Sequence, residues 1–282
     1  MRSLNFDKSK PLLYLVPSPI GNLEEMSPRA LTIIKEADLI ACEDTRMTAK
    51  LLMFFNIRKP LVSLREHNEV SESEIIIKRI LNGEKIIYMS DAGYPCISDP
   101  GAKLVQIAIE NGVNVSCISG PNAALNALVS SGIDPTHFYF HGFLNAKEKL
   151  KIDELKTLAN KEETLIFYEA PHRIKKTLES MYMIFGDRKA CIGREITKKH
   201  EEYIRDTLKN LNELDENTLI GEMVIVVEGK PQEKTITITD EEIRSLVSEY
   251  INEGLSSKDA IKRVSEQTKI NKNYVYKIYH IS

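Results

Sequence analysis

Ser90-Asp91-Ala92-Gly93-Tyr94-Pro95-Cys96-Ile97-Ser98-Asp99-Pro100-Gly101 follows the apolar run Ile86-Ile87-Tyr88-Met89 and leads into a helix-patterned segment, Ala102 to Glu110. A short β-prone run that ends in a small, acidic, turn-forming loop before a helix is how an α/β protein presents a ligand loop. Gly93 and Gly101 permit backbone angles that other residues resist, Pro95 and Pro100 stiffen the loop, and Asp91 and Asp99 bring acceptors for a ligand hydroxyl or ammonium. The two halves of the loop read differently. Asp99-Pro100 matches a helix N-cap followed by proline at the first helical position, so a structural role is expected there. Asp91-Ala92-Gly93 has no capping task and is expected to face a ligand.

Working outward, apolar runs at Leu12 to Val16, Leu39 to Cys42, Leu61 to Leu64 and Val113 to Ile118 alternate with helical patterns. Ser27 and Pro28 open one helix, and Met47 to Phe55 and Ser71 to Leu81 read as others. This repetition predicts a mostly parallel sheet, in which ligands bind beyond the carboxyl ends of the strands. Polar clusters stand at those ends: Pro17 to Leu23, Glu43 to Arg46, Arg65 to Asn68, and the central loop. Asn122 follows the fifth run, where it either caps the next helix or helps its free amides meet a carboxylate.

A second α/β half follows, with strands expected at Phe138 to Phe143, Thr164 to Tyr168, Ala190 to Arg194 and Glu222 to Val227. Helices are expected near Lys149 to Ala159 and from Glu169-Ala170-Pro171-His172-Arg173 to Phe185. The longer, more alternating strands predict a mixed sheet. Lys230 to Thr239 is polar and reads as a linker or an edge strand. Helices capped by Thr239 and opened by Ser257 and Asn271 end the chain, the last two resembling a helix-turn-helix. The expected division is thus an N-terminal α/β domain over 11–119, a second over 120–230, and a linker with a small helical module over 231–282.

The 282 residues carry 42% hydrophobic and 28% charged side chains, as an ordinary globular protein does. No apolar stretch approaches the roughly 20 residues that span a bilayer, and the first residues lack the apolar core of a signal peptide, so a cytoplasmic protein is expected. The scattered Cys42, Cys96, Cys117 and Cys191 suggest neither a metal site nor a disulfide framework. Net charge is −3, yet Gly254 to Ser282 holds six Lys/Arg (Lys258, Lys262, Arg263, Lys269, Lys272, Lys277) against two acids, a local +4 that leaves −7 elsewhere. Nucleic-acid binding would therefore rest on local patches.

Seven segments in order carry a specific likeness: Pro19-Ile20-Gly21-Asn22-Leu23, Glu43-Asp44-Thr45-Arg46, Ser90-Asp91-Ala92-Gly93, Ser98-Asp99-Pro100-Gly101, Gly120-Pro121, Phe167-Tyr168-Glu169-Ala170-Pro171-His172-Arg173 and Arg194-Glu195-Ile196-Thr197-Lys198. The chain resembles the ribosomal RNA small-subunit methyltransferase I family, a branch of the tetrapyrrole-methylase superfamily, from about Leu12 to Gly229. The resemblance implies two α/β domains with S-adenosylmethionine in the cleft between them, a homodimer, and methylation of the ribose 2′-oxygen of a cytidine in the decoding region of small-subunit ribosomal RNA, free or in the assembled subunit. It places the cofactor on Pro17, Ser18 and Pro19, on Asp91, Ala92, Gly93 and Tyr94, on Asn122 and Ala123, on Tyr168, Glu169 and Ala170, and near Met223. Asp91 would receive the methionine ammonium or a neighbouring polar group, and Tyr168 and Met223 would border the adenine. Tyr94 stands where the family usually has Thr, and Asn122 where it has Ser.

A ribose hydroxyl is a weak nucleophile, so transfer needs in-line alignment and a destination for the proton. Glu43, Asp44 and Glu195 are the candidate bases at strand ends, with His67 as a further one. Arg46, Arg65, Arg173, Lys198, Lys262 and Lys272 are candidate phosphate contacts. Pairing of Glu43 with Arg46 to hold the fold is the structural alternative to catalysis. Two rival functions stay open: methylation of a small molecule such as a tetrapyrrole precursor, and non-catalytic nucleic-acid binding on an old enzyme fold.

Overall fold

Ile86-Ile87-Tyr88-Met89 is buried along its whole length and forms β4, the middle strand of the first of two sheets. The computed structural model describes residues 11–231, 239–268 and 270–280. The chain divides after Pro231 into two units, each described by itself.

In the first unit, β1 (Leu12–Val16), α1 (Pro28–Glu36), β2 (Leu39–Cys42), α2 (Thr45–Phe54), β3 (Leu61–Ser63), α3 (Glu69–Leu81), β4 (Ile86–Met89), α4 (Ala102–Glu110) and β5 (Asn114–Cys117) alternate as expected. Every pairing is parallel, in the order β3-β2-β4-β1-β5. The burial of β2 and β4 on both faces explains their unbroken apolar sequences. Ala30 and Ile34 of α1 and Leu52 of α2 pack on one face. Ile76, Ile77 and Ile80 of α3, with Leu104 and Ala108 of α4, pack on the other. The neighbours β1 and β4 therefore send their connections to opposite faces of the sheet. A crevice opens at such a switch point, beyond the strand ends.

α5 (Ala123–Ser131) leads into the second sheet, which comprises β6 (Phe138–Phe143), β7 (Thr164–Glu169), β8 (Lys189–Arg194), β9 (Glu202–Thr207) and β10 (Met223–Val227). Its order is β6-β7-β10-β8-β9, with only β6 and β7 parallel, so the sheet is mixed. α6 (Glu148–Leu158), α7 (Ile174–Phe185) and the short α8 (Leu208–Leu211) cover one face. α5 lies against the other, burying Ala127 and Leu128 over Ile166 and Val226. The expected halves 11–119 and 120–230 carry one sheet each, and both fall within the first unit. The strand β9 is absent from the sequence reading.

The second unit contains α9 (Asp240–Asn252), α10 (Ser257–Thr268) and α11 (Lys272–His280) around Ile243, Val247, Ala260, Ile261, Val264 and Val275. Thr239 caps α9 in a reciprocal pair with Glu242, as the sequence suggested. The expected linker or edge strand over 230–239 falls largely outside the described residues, as does Lys269.

One expectation in the central loop needs correction. Asp99 does not cap α4: Gly101 occupies the cap position at φ +121°, and Glu69 Oε1 accepts from the Gly101 and Lys103 amides, each at 2.8 Å. Tyr88, 0% exposed, donates its hydroxyl to the Pro100 carbonyl at 2.7 Å and fills the space beside Gly101. A Cβ on Gly101 would lie 2.4 Å from Tyr88 Cε1 and 2.9 Å from Cys96 Sγ. Gly101→Ala combines that overlap with a disfavoured φ and is expected to destabilise the first unit by about 3 kcal/mol, read as a lower melting temperature.

Candidate active site

At the crevice, the loops after β1 and β4 are clasped. Ser18 N donates to Gly93 O at 3.0 Å, and Gly93 N donates back to Ser18 O at 2.9 Å. Ser18 Oγ donates to Ser90 O, and Ser90 Oγ to Gly93 O, both at 2.6 Å. Both serines are buried, and Gly93 sits at φ +70°, which glycine adopts without strain. The loop after β5 joins them. Gly120 N donates to Tyr94 Oη at 3.0 Å, and Gly120 lies so close to Pro17 that a Cβ there would be 2.6 Å from the proline's. Tyr94 thus uses its reach to tie two strand ends together.

The clasp bounds a cavity of about 390 Å³ between the first sheet's strand ends and the second sheet. Gly93, Tyr94 and Asp99 face it from one side and Tyr168 and Met223 from the other, with Asn122 and Ala123 at the start of α5. The Tyr168 ring is held edge-on by Phe140 and Phe143, with centroids 5.0 and 5.5 Å away. Asn122 Oδ1 accepts from the Leu125 amide at 2.9 Å, so its side chain caps α5 while the residue also lines the cavity. Of the expected loop Pro17-Ser18-Pro19, none reaches this cavity. Pro17 packs on Gly120, Ser18 is consumed by the clasp, and Pro19 lines a neighbouring cavity; the next residue, Ile20, lines this one.

Three carboxylates with raised proton affinity surround the clasp. Asp99 lines the main cavity and has no hydrogen-bond or ion-pair partner among the described residues. Burial first, then the charges of Glu43 and Asp91, push it up to about 6. Glu43 is raised by burial and by Asp91, against the opposing pull of Arg65. Asp91 is also raised by burial. Its Oδ1 accepts from the Asp44 amide at 3.2 Å, and the residue lines the neighbouring cavity and not the main one. Asp99, which sequence reasoning had given to a helix cap, lines the main cavity. Such a wall favours a cationic ligand.

Residues 12–212 match the family of Tetrapyrrole (Corrin/Porphyrin) Methylases. A ribosomal RNA small subunit methyltransferase I of Bacillus subtilis (strain 168) is 45% identical over 99% of this chain and 97% of its own length. The chain belongs to that family. A relative of the same name from Pasteurella multocida (strain Pm70) is 41% identical over 94% of this chain and 95% of its own. Among solved structures, a diphthine synthase superposes with TM-score 0.59 at 15% identity, over 77% of this chain and 89% of its own. A cobalt precorrin-4 methyltransferase of cobalamin biosynthesis gives 0.57 at 15% identity, over 78% and 95%. These two likenesses show the fold.

Methyltransferase I family members depend on S-adenosylmethionine, and the cavity fits that molecule. Tyr168, Phe143 and Met223 offer apolar and aromatic surface, while the unpartnered Asp99 carboxylate offers a counter-charge for a cation. Other family positions have structural tasks. Glu169, 2% exposed, accepts from the Ala170 amide and Thr177 Oγ and pairs with Arg173 at 3.2 Å. Ala170 lines the cavity beside it, as Ala92 does on the opposite wall.

Several expected assignments change for the same reason. Arg173 donates to the Leu144 and Asn145 carbonyls at 2.7 and 3.2 Å, so much of its guanidinium is held by the protein. Lys198 bridges Glu195 and Glu222 at 3.0 and 3.1 Å. Glu195 is lowered by its hydrogen bonds from the Glu222 amide and Lys198, making it a poor base. Asp44 caps α2 and forms a bidentate pair with Arg46, at 3.1 and 2.7 Å, which holds it well below the usual carboxylate range. Arg46 therefore pairs with Asp44 and not with Glu43. Arg65 donates to the Glu43 carbonyl at 3.2 Å and opens the turn that contains His67. In the second unit Lys262 lies 3.9 Å from Glu266 on an exposed face, and Lys272 opens α11.

Proposed function

We propose that this chain methylates the ribose 2′-oxygen of a cytidine in the decoding region of small-subunit ribosomal RNA, using S-adenosylmethionine and acting as a homodimer. The observation that supports the substrate class most directly is the 45% identity over nearly the whole chain to a relative named for that RNA. The tetrapyrrole alternative finds less support: its solved examples cover about 78% of this chain, whereas the ribosomal RNA relative aligns over 99%, taking in the C-terminal helices. Non-catalytic binding leaves the unpartnered cavity carboxylate without a task. The homodimer, the decoding-region cytidine and the 2′-oxygen rest on the family resemblance.

In this reading the cofactor supplies an electrophilic methyl group on a sulfonium. Tyr168 and Met223 border its adenine, and Asp99 meets its cationic end. The clasp holds the two strand-end loops rigid, so the reacting atoms meet in one geometry, the condition under which alignment lowers a barrier most. Glu43 is the assigned base. Its raised proton affinity suits removal of a proton as the hydroxyl becomes nucleophilic, whereas the lowered Asp44 and Glu195 do not. Arg46 and Arg65 flank it as phosphate contacts, and Lys262 and Lys272 extend that role to the helical unit.

Offering the protein labelled S-adenosylmethionine with small ribosomal subunits lacking native modifications, and separately with a tetrapyrrole precursor, tests the substrate class. Label is expected in the RNA. Label only in the tetrapyrrole would overturn the proposal.

A further inference from the structure

Across the clasp from the main cavity lies a second one of about 370 Å³, walled by Pro19, Gly21, Asp91 and one face of α2. Met47, Leu51 and Phe54 recur on that face at helical spacing. The face is apolar yet open: Met47 is 51% and Phe54 60% exposed, while Thr48 and Leu52 supply the buried side of the helix. Phe54 is held in place by the Phe55 ring, edge-on at 5.1 Å and 89°. Lys50 stands on the rim and makes no ion pair among the described residues. Leu51 also packs against the core, but core packing does not account for the exposed Met47 and Phe54.

An aromatic face, a carboxylate acceptor and a cation within one cavity match the parts of an unstacked nucleotide. Aromatic side chains stack on bases, carboxylates accept from the exocyclic amine of cytosine, and lysine meets phosphate. We propose that this cavity receives the target nucleotide extruded from the RNA, with its base on Phe54, its amine toward Asp91 and a flanking phosphate at Lys50. The subsite rests on the ribosomal RNA reading above. The base then lies across the Ser18–Gly93 clasp from the main cavity, so the ribose has to reach round the clasp to meet the cofactor, and it lies beside Asp91, whose charge bears on Glu43.

The experiment measures methyl transfer from labelled S-adenosylmethionine to unmodified small subunits by wild type, Phe54→Ala, Phe54→Trp and Lys50→Ala, with cofactor affinity followed by calorimetry. Loss of one stacking contact predicts a fall in kcat/KM for Phe54→Ala of about 5- to 150-fold. Cofactor affinity is expected to stay unchanged and Phe54→Trp to restore transfer. Lys50→Ala is expected to weaken RNA use and flatten its salt dependence. Wild-type kcat/KM in both alanine variants would overturn the subsite alone. Cofactor binding without any RNA methylation by wild type would overturn the ribosomal RNA reading and the subsite with it.

Discussion

Asp99→Asn is expected to weaken S-adenosylmethionine binding by about 10- to 100-fold, the scale of losing a charged hydrogen-bonding partner in a half-buried site. The carboxylate lines the main cavity without a protein partner, so a cationic ligand is what completes it. Its elevated proton affinity gives the claim a pH signature. Wild-type affinity should fall as pH drops through about 6, where Asp99 loses its charge, and the Asn variant should lack that inflection. The sign for the cofactor-free fold is opposite. A carboxyl whose folded value lies above its unfolded one, about 3.9, contributes stability that is full below that value and is lost as pH rises through about 6. The Asn variant should therefore melt above wild type at pH 8, by about 1 kcal/mol after solvent screening, and match it near pH 3. Titration calorimetry and thermal melts across pH read both effects; unchanged cofactor affinity would return Asp99 to a purely structural role.

Glu43→Gln is expected to lower kcat by about 100-fold or more, the lower end of what a positioned base contributes. KM for the RNA and the cofactor affinity should stay near wild type, since the amide keeps the shape and only the proton acceptor is lost. The backbone holds this site independently of the side chain: the Glu43 carbonyl accepts from Ser63 Oγ at 3.0 Å and from Arg65 Nε at 3.2 Å. Single-turnover transfer with saturating cofactor separates this from a binding defect. Undiminished transfer would mean that the ribose proton leaves to solvent.

The first sheet and the location of the crevice were legible because both follow from local pattern. Apolar runs ending in polar, Gly- and Pro-containing turns define strand ends, and the parallel alternation places those ends on one side. Asn122 as a cap was legible for the same reason, since its partner Leu125 is three residues away. Asp99 was misread because Asp-Pro-Gly before a helix is the local signature of an N-cap; the capping acceptor comes instead from Glu69, 32 residues earlier, and no local pattern displays it. Arg173 and Lys198 looked like phosphate contacts, but each is held by groups distant in sequence, the Leu144 carbonyl and Glu222. The strand β9 was hidden by its position at the sheet's edge, where Glu202, Arg205 and Asp206 face solvent and leave little apolar alternation to read. The Phe54 face was absorbed into an ordinary helix, because sequence does not show which side of α2 the sheet covers.

Nuclease digestion and mass spectrometry of small-subunit RNA, after incubation of unmodified subunits with the protein and S-adenosylmethionine, most directly test the account. It predicts a single added methyl group on the ribose of a decoding-region cytidine. A methyl group on a base, or on a nucleotide other than cytidine, would contradict it.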